Sequence, residues 1–183
     1  MKQSSAAPIE VASRLEGFDY AIRNIVAEAQ AVERSGRRVH YLNIGDPVLF
    51  GFKTPPHLVE AVIQAMKDGH NGYTHASGIM SAREAVAAEY TSRGFDMSPD
   101  RVILTSGTSE GIELAISVIV DHGDEVLVPL PTYPFYTAVL NKLGARAIYY
   151  PTDPSNNWEP DLDQLRKLLN PRTKALVAVS YTH

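Results

Sequence analysis

From residue 101 onward the chain repeats one unit, a short apolar run rich in β-branched residues followed by a longer stretch with apolar positions at helical spacing. Strands are expected at 101–105, 125–129, 147–150 and 174–180, and helices at 108–120, 133–143 and 161–169. Strands that alternate with helices imply crossover connections, and hence a largely parallel sheet covered by helices. The fold class expected is therefore α/β. Ala175 to Val179 is apolar on both faces and is expected to be a central strand.

The segment before this repeat reads differently. Apolar residues from Ile9 to Val32 fall at loosely helical spacing, broken near Gly17 and stopped at Gly36, as an N-terminal arm and helix would. A short strand is expected at 39–44, running into Gly45-Asp46-Pro47. Thr54-Pro55-Pro56 opens a helix to about Lys67, and another is expected at 81–93. Residues 73–80 and 151–160 read as loops. We divide the chain into 1–44, the N-terminal arm and helix, and 45–183, the remainder that carries the α/β repeat.

Val102 to Gly111 carries the clearest chemical signal. An apolar run breaks into Thr105-Ser106-Gly107-Thr108-Ser109-Glu110-Gly111 just where a helix should begin. Unpaired N–H groups and two hydroxyls at the positive end of a helix dipole favour an anion, so this is a candidate phosphate seat. An ordinary capped helix, with Ser106 or Gly107 as N-cap and Glu110 in the first turn, accounts for the same residues. The loop lacks the Gly-Lys-Ser/Thr ending of a nucleotide P-loop, and no G-x-G-x-x-G opens a βαβ unit.

Composition narrows the remaining classes. A net charge of −4 with no dense Lys/Arg run gives nucleic acid nothing to bind. No apolar stretch is long enough for a bilayer, so no membrane partner is expected. With no cysteine, disulfides, thiolate metal sites and Cys nucleophiles are excluded, and a cytoplasmic location is expected. His40, His57, His70, His75, His122 and His183 show no metal-ligand spacing, so no metal site is expected. Asp121, Asp124 and Glu125, around a turn, are expected to be solvated.

Several motifs taken in order carry a family resemblance. Leu42-Asn43-Ile44-Gly45-Asp46-Pro47, Phe50-Gly51-Phe52, Gly72-Tyr73, Ser77-Gly78 and Ala82-Arg83-Glu84-Ala85 are followed by Ile103 to Glu110, Gly123-Asp124-Glu125-Val126-Leu127-Val128-Pro129, Pro131-Thr132-Tyr133-Pro134 and Asn170-Pro171-Arg172-Thr173-Lys174. This chain resembles the fold-type I pyridoxal-phosphate aminotransferases from about Tyr20 to Val179. Phe50-Gly51-Phe52 after Asn43 to Pro47, with Trp158-Glu159-Pro160-Asp161-Leu162-Asp163, is most similar to the bacterial alanine (glutamate–pyruvate) aminotransferases.

The resemblance implies pyridoxal 5'-phosphate as cofactor, an amino acid and a 2-oxo acid as substrates (alanine and 2-oxoglutarate), and a homodimer. It implies that Gly107, Thr108 and Ser109 hold the cofactor phosphate and that Tyr133 lies flat on the pyridine ring. It places Tyr73 at the phosphate of the neighbouring subunit, and Gly45 beside the substrate carboxylate. Each has a plainer reading: Tyr133 as a turn or core tyrosine, Tyr73 as an exposed loop residue, Gly45 as a turn before Asp-Pro.

The family's Schiff-base lysine has no counterpart here. Lys2, Lys53, Lys67, Lys142, Lys167 and Lys174 all lie outside its sequence context, so no catalytic residue is assigned. Where the family continues with Asn-Pro-Asn-Asn-Pro-Thr-Gly, this chain has Ser180-Tyr181-Thr182-His183. The resemblance implies an N-terminal portion of the large domain, a poor or inactive catalyst alone. A non-catalytic module of the same fold, or a subunit pairing with a complete partner, is the alternative.

Overall fold

The computed structural model describes residues 21–42 and 45–179, with the single residues 10, 12 and 13. They pack as two compact units, one comprising Met1–Val39 and Gly107–His183 and the other His40–Ser106.

The first unit holds α1 (Ala21–Arg34), α4 (Thr108–Ile119), β1 (Glu125–Leu130), α5 (Pro134–Leu143), β2 (Arg146–Asp153), β3 (Glu159–Pro160), α6 (Leu162–Leu168) and β4 (Thr173–Leu176). The second holds α2 (Pro56–Lys67) and α3 (Met80–Ser92). The helix ends follow their punctuation. Gly36 takes φ 84° after α1, Pro56 opens α2, Asp161 caps α6 through its carboxylate, and Gly144 closes α5 at φ 72°.

The sheet order is β3-β2-β1-β4, with β1 parallel to both β2 and β4. β1 is its centre. Val126, Leu127 and Val128 are at most 1% exposed, and each such side chain contributes roughly 1.5–3 kcal/mol. On one face Val126, Val128, Ala147, Ala175 and Val177 pack with Ile112, Ile116 and Val120, and with Val139 and Leu140 of α5. This is the α/β, mostly parallel, helix-covered architecture expected.

Four expectations are corrected. The run 101–105 forms no strand among the described residues. Its extended backbone is anchored by the Leu104 N–H donating to the Ser77 carbonyl at 3.0 Å, after a single 3-10 turn at Pro99–Arg101. Residues 39–42 are likewise outside any strand, and Asn43 and Ile44 lie outside the described residues. The last strand is terminal rather than central among the described strands, with Leu176 44% exposed, because β4 pairs with β1 alone at the end of the order. The loop 151–160 contains a hairpin. Asp153 caps a 3-10 turn at Pro154–Asn156, Asn157 and Trp158 take φ 53° and 61°, and β3 returns antiparallel on β2.

In the second unit the side chain of Arg83 on α3 is buried and holds the segment after the 3-10 turn. Its Nε donates to the carbonyls of Pro99 at 3.0 Å and Val102 at 3.2 Å, and its Nη2 lies 3.1 Å from Asp100 Oδ1. Gly78 takes φ 98°, and a Cβ there would lie 2.6 Å from Leu104 Cδ1, so this loop closes on Leu104 only with glycine. No helix among the described residues is long and apolar enough to cross a membrane.

Candidate functional site

Helix α4 begins with a feature its sequence foreshadowed. Gly107 is the N-cap at φ 90°, ψ 171°, a backbone region essentially reserved for glycine. As glycine, this N-cap residue has no side chain with which to cap the helix. The first intrahelical bond of this turn, Gly111 N–H to the Gly107 carbonyl, measures 3.4 Å. The amides of Thr108 and Ser109 precede it and fall among those a helix leaves without an intrahelical acceptor. Thr108 and Ser109 are exposed, and a Cβ on Gly107 would meet nothing within 4 Å. Two amides, two hydroxyls and the helix dipole make this turn chemically suited to a phosphate monoester.

The carboxyl end of β1 supplies the other feature. After the cis Leu130–Pro131 bond come Thr132 and Tyr133, which is the N-cap of α5 at φ −71°, ψ 120°. Pro134 favours that extended conformation for its predecessor. Tyr133 is 40% exposed, its ring stacked at 5.9 Å on Phe135 and edge-on at 6.0 Å to Tyr136. Thr132 Oγ1 is buried and has no hydrogen-bond partner.

Topology relates the two features. From β1 the chain crosses through α5 to β2 on one side, and later reaches β4 on the other. The carboxyl end of β1 is thus a topological switch point, where open α/β sheets bind ligands. Helix α4 turns into β1 through a tight bend, in which the Asp121 N–H donates to Asp124 Oδ2 at 2.9 Å, and its Ile112, Ile116 and Val120 pack in one cluster with Val126 and Val128. Twelve helical residues span about 18 Å and six strand residues about 20 Å. The first turn of α4 therefore falls at the sheet edge where β1 ends.

The other two predicted site residues belong to the second unit. Tyr73 is fully exposed. Gly45 is exposed, its φ lies outside the left-handed region, and a Cβ there would meet nothing within 4 Å, so the chain's own packing does not demand glycine. Its neighbour Asp46 caps the 3-10 turn at Pro47–Phe50, accepting from the Val48 N–H at 3.0 Å.

Glu125 corrects an expectation. Expected to be solvated, it is 3% exposed at the start of β1. Its carboxylate accepts from Asn170 Nδ2 at 2.7 Å and Arg172 Nε at 2.9 Å, and its N–H donates to the Arg172 carbonyl, tying β1 to the turn before β4. The partners lie more than forty residues downstream, so no local signal marks this burial. The Asn170 hydrogen bond, reinforced by Arg172, holds the Glu125 carboxyl below the ordinary glutamate range. Hydrogen bonds from Ser155 and Gln164 do the same for Asp153 and Asp161. A carboxyl lowered by folding stabilises the native state above its unfolded pKa, and that stability is lost as pH falls through the folded value. Urea midpoints should therefore drop on acidification below the carboxylate range. Glu125→Gln should be less stable at neutral pH and show a shallower acid decline; an unchanged acid slope would count against this role.

Comparisons with known proteins bear on this arrangement. The sequence profile of the family described as "Aminotransferase class I and II" matches residues 37–182. Glutamate-pyruvate aminotransferase AlaA of Escherichia coli (strain K12) is 38% identical over 176 residues, which cover 95% of this chain and 43% of that protein. An alanine aminotransferase of Mycobacterium tuberculosis (strain H37Rv) is 37% identical over 92% of this chain and 40% of its own length. Among solved structures, an alanine aminotransferase from Pyrococcus furiosus superposes with a TM-score of 0.84 at 39% identity, over 91% of this chain and 43% of that one. The chain thus spans less than half the length of these relatives.

Proposed function

The chain belongs to the aminotransferase class I and II family, and from that premise we propose that it carries the phosphate-seating part of a pyridoxal-phosphate enzyme that moves an amino group from an amino acid to a 2-oxo acid. Alanine and 2-oxoglutarate are the substrates we propose, on the names of relatives that share nearly the whole of this chain at 37–38% identity. The observation that carries the reading is Gly107 at φ 90° opening α4 over Thr108 and Ser109, a donor set matched to a phosphate dianion.

In this reading the amides and hydroxyls of Thr108 and Ser109 hold the cofactor phosphate, and the Tyr133 ring limits tilt of the pyridine. When bound, pyridoxal phosphate supplies the electron sink for the substrate α-carbon. Tyr73 reaches the phosphate of the neighbouring subunit in a homodimer, and Gly45 leaves room for the substrate carboxylate. By domain, we assign 1–44 to the smaller domain's arm and helix and 45–183 to the cofactor-binding domain.

None of the lysines at 2, 53, 67, 142, 167 and 174 lies in the family's cofactor-lysine context. We therefore propose that the 183-residue chain binds pyridoxal phosphate without turning over substrate. Absorbance titration should show saturable binding that inorganic phosphate competes away. Borohydride reduction with peptide mapping should then show labelling scattered at low yield over several lysines. A single stoichiometrically labelled lysine would overturn the assignment of no catalytic residue, and absence of saturable binding would overturn the phosphate seat.

A further inference from the structure

Proline stands at 129, inside the central strand β1, although a proline there removes a ladder donor. In a parallel ladder, a residue that donates to residue i of its neighbour accepts in turn from residue i+2. The Val177 N–H donates to the Leu127 carbonyl at 2.8 Å, so the ladder donor due to the Val177 carbonyl is residue 129. Pro129 has none to give, and the register of β1 with β4 stops at Leu127 and Leu176. The Val177 carbonyl accepts instead from the Tyr150 hydroxyl at 2.7 Å. Tyr150 is the register partner of Pro129 on β2, so its phenol reaches from one neighbour of β1 past the proline to the other. A side chain thereby replaces the backbone donor that β1 lacks.

The replaced bond lies at the end of the sheet where a ligand is expected. With β2 on one side of β1 and β4 on the other, the crevice of this switch point lies between the exits of β1 and β4. The two exits are the limbs of a fork that begins where Pro129 ends the ladder. One limb leads to Tyr133, and the other, Ala178 and Val179, is exposed. We infer that Tyr150 is a positioning residue of the proposed cofactor site, whose hydroxyl, in place of the missing ladder donor, fixes the β4 limb against β1. This rests on the reading that pyridoxal phosphate binds at this end of the sheet, and it concerns the pyridine rather than the phosphate. Tyr150 is 3% exposed, so its side chain acts through Val177 and not on a ligand. Burial pushes its phenol above the ordinary tyrosine range, so the hydroxyl stays a donor through neutral and mildly alkaline pH. No covalent step is involved.

Tyr150→Phe keeps the ring and removes the bond. In the ligand-free chain it should lower the melting temperature by about 2–4 °C. Titrated at a temperature where the chain is fully folded, the same variant should bind pyridoxal phosphate about 10-fold more weakly. Inorganic phosphate, measured by calorimetry, should stay within about 2-fold of wild type, because the first turn of α4 is untouched. Adding Pro129→Ala gives residue 129 an N–H for the Val177 carbonyl. The double variant should return to within about 1 °C of wild type in melting temperature and about 3-fold in pyridoxal phosphate affinity. Unchanged pyridoxal phosphate affinity in Tyr150→Phe would reduce the bond to a structural one and overturn the inference. So would equal losses for both ligands, which indicate general damage, and so would a double variant that recovers neither property. A wild-type chain that binds neither ligand would instead sink the phosphate seat, and this inference with it.

Discussion

Gly107→Ala should be the most damaging single change at the proposed cofactor site, lowering pyridoxal phosphate affinity about 100-fold or more while also destabilising the ligand-free chain. The cause is the backbone, since an added Cβ would meet nothing within 4 Å. At φ 90° and ψ 171° an L-residue is strained by about 1–3 kcal/mol, and the chain can relieve this only by rotating the peptide that presents the Thr108 amide. That rotation removes donors from the anion. Two N–H bonds to a charged oxygen, at about 1.5–3 kcal/mol each, correspond to a factor of roughly 10² or more. Thr108→Val, which removes a hydroxyl but keeps both amides, should cost only about 10-fold. Gly45→Ala, where a Cβ also finds open space but φ is ordinary, should leave the melting temperature unchanged. Titrations and thermal melts of the three variants separate these effects. Wild-type affinity in Gly107→Ala would refute the cradle.

Much of the framework was legible because its signals are local. Pro56, Asp161, Gly144 and Gly36 start or stop helices by their own stereochemistry, and α2 to α6 fall within a residue or two of the ranges read from the sequence. The start of α4 was legible for the same reason, as Gly107-Thr108-Ser109 is a helix entrance written in consecutive residues. What was not legible depends on distant partners. Val102 to Thr105 has a strand's composition, but strand status needs a ladder, and here Leu104 bonds a loop carbonyl instead. Apolar character on both faces of 175–179 says nothing about which strand has two neighbours. The burial of Glu125 depends on Asn170 and Arg172, which only the sheet brings near. Thr132 lies between these cases, because Pro134 offers it no N–H two residues on, although its burial had to come from the fold.

Arg83→Ala should destabilise the second unit by about 3 kcal/mol, and the reason is more the carbonyls it leaves behind than the charge it removes. The ion pair itself is worth little, since the Asp100 side chain is 85% exposed and water readily takes over its carboxylate. The Arg83 side chain is 6% exposed, and its Nε serves the carbonyls of Pro99 and Val102 together. Without the guanidinium the Val102 carbonyl loses its donor in a closed space, at about 1–3 kcal/mol, the Pro99 carbonyl keeps only its bond from the Val102 N–H, and the packed alkyl stem is lost as well. Asp100→Ala should therefore cost under about 1 kcal/mol. Arg83→Lys should recover less than half of the loss, since a lysine amine cannot reproduce the planar donor fork. Urea melts of the three variants, with hydrogen exchange at residues 98–104, give the ordering; equal losses in Asp100→Ala and Arg83→Ala would show that the ion pair dominates. The ordering also bears on how the motif is read. Ala82-Arg83-Glu84-Ala85 is among the segments that carry the family resemblance, and Arg83 uses its guanidinium on the chain's own Pro99 and Val102 carbonyls and Asp100 carboxylate. A charged residue shared with a family of enzymes is here a fixed strut between a helix and the segment 99–102.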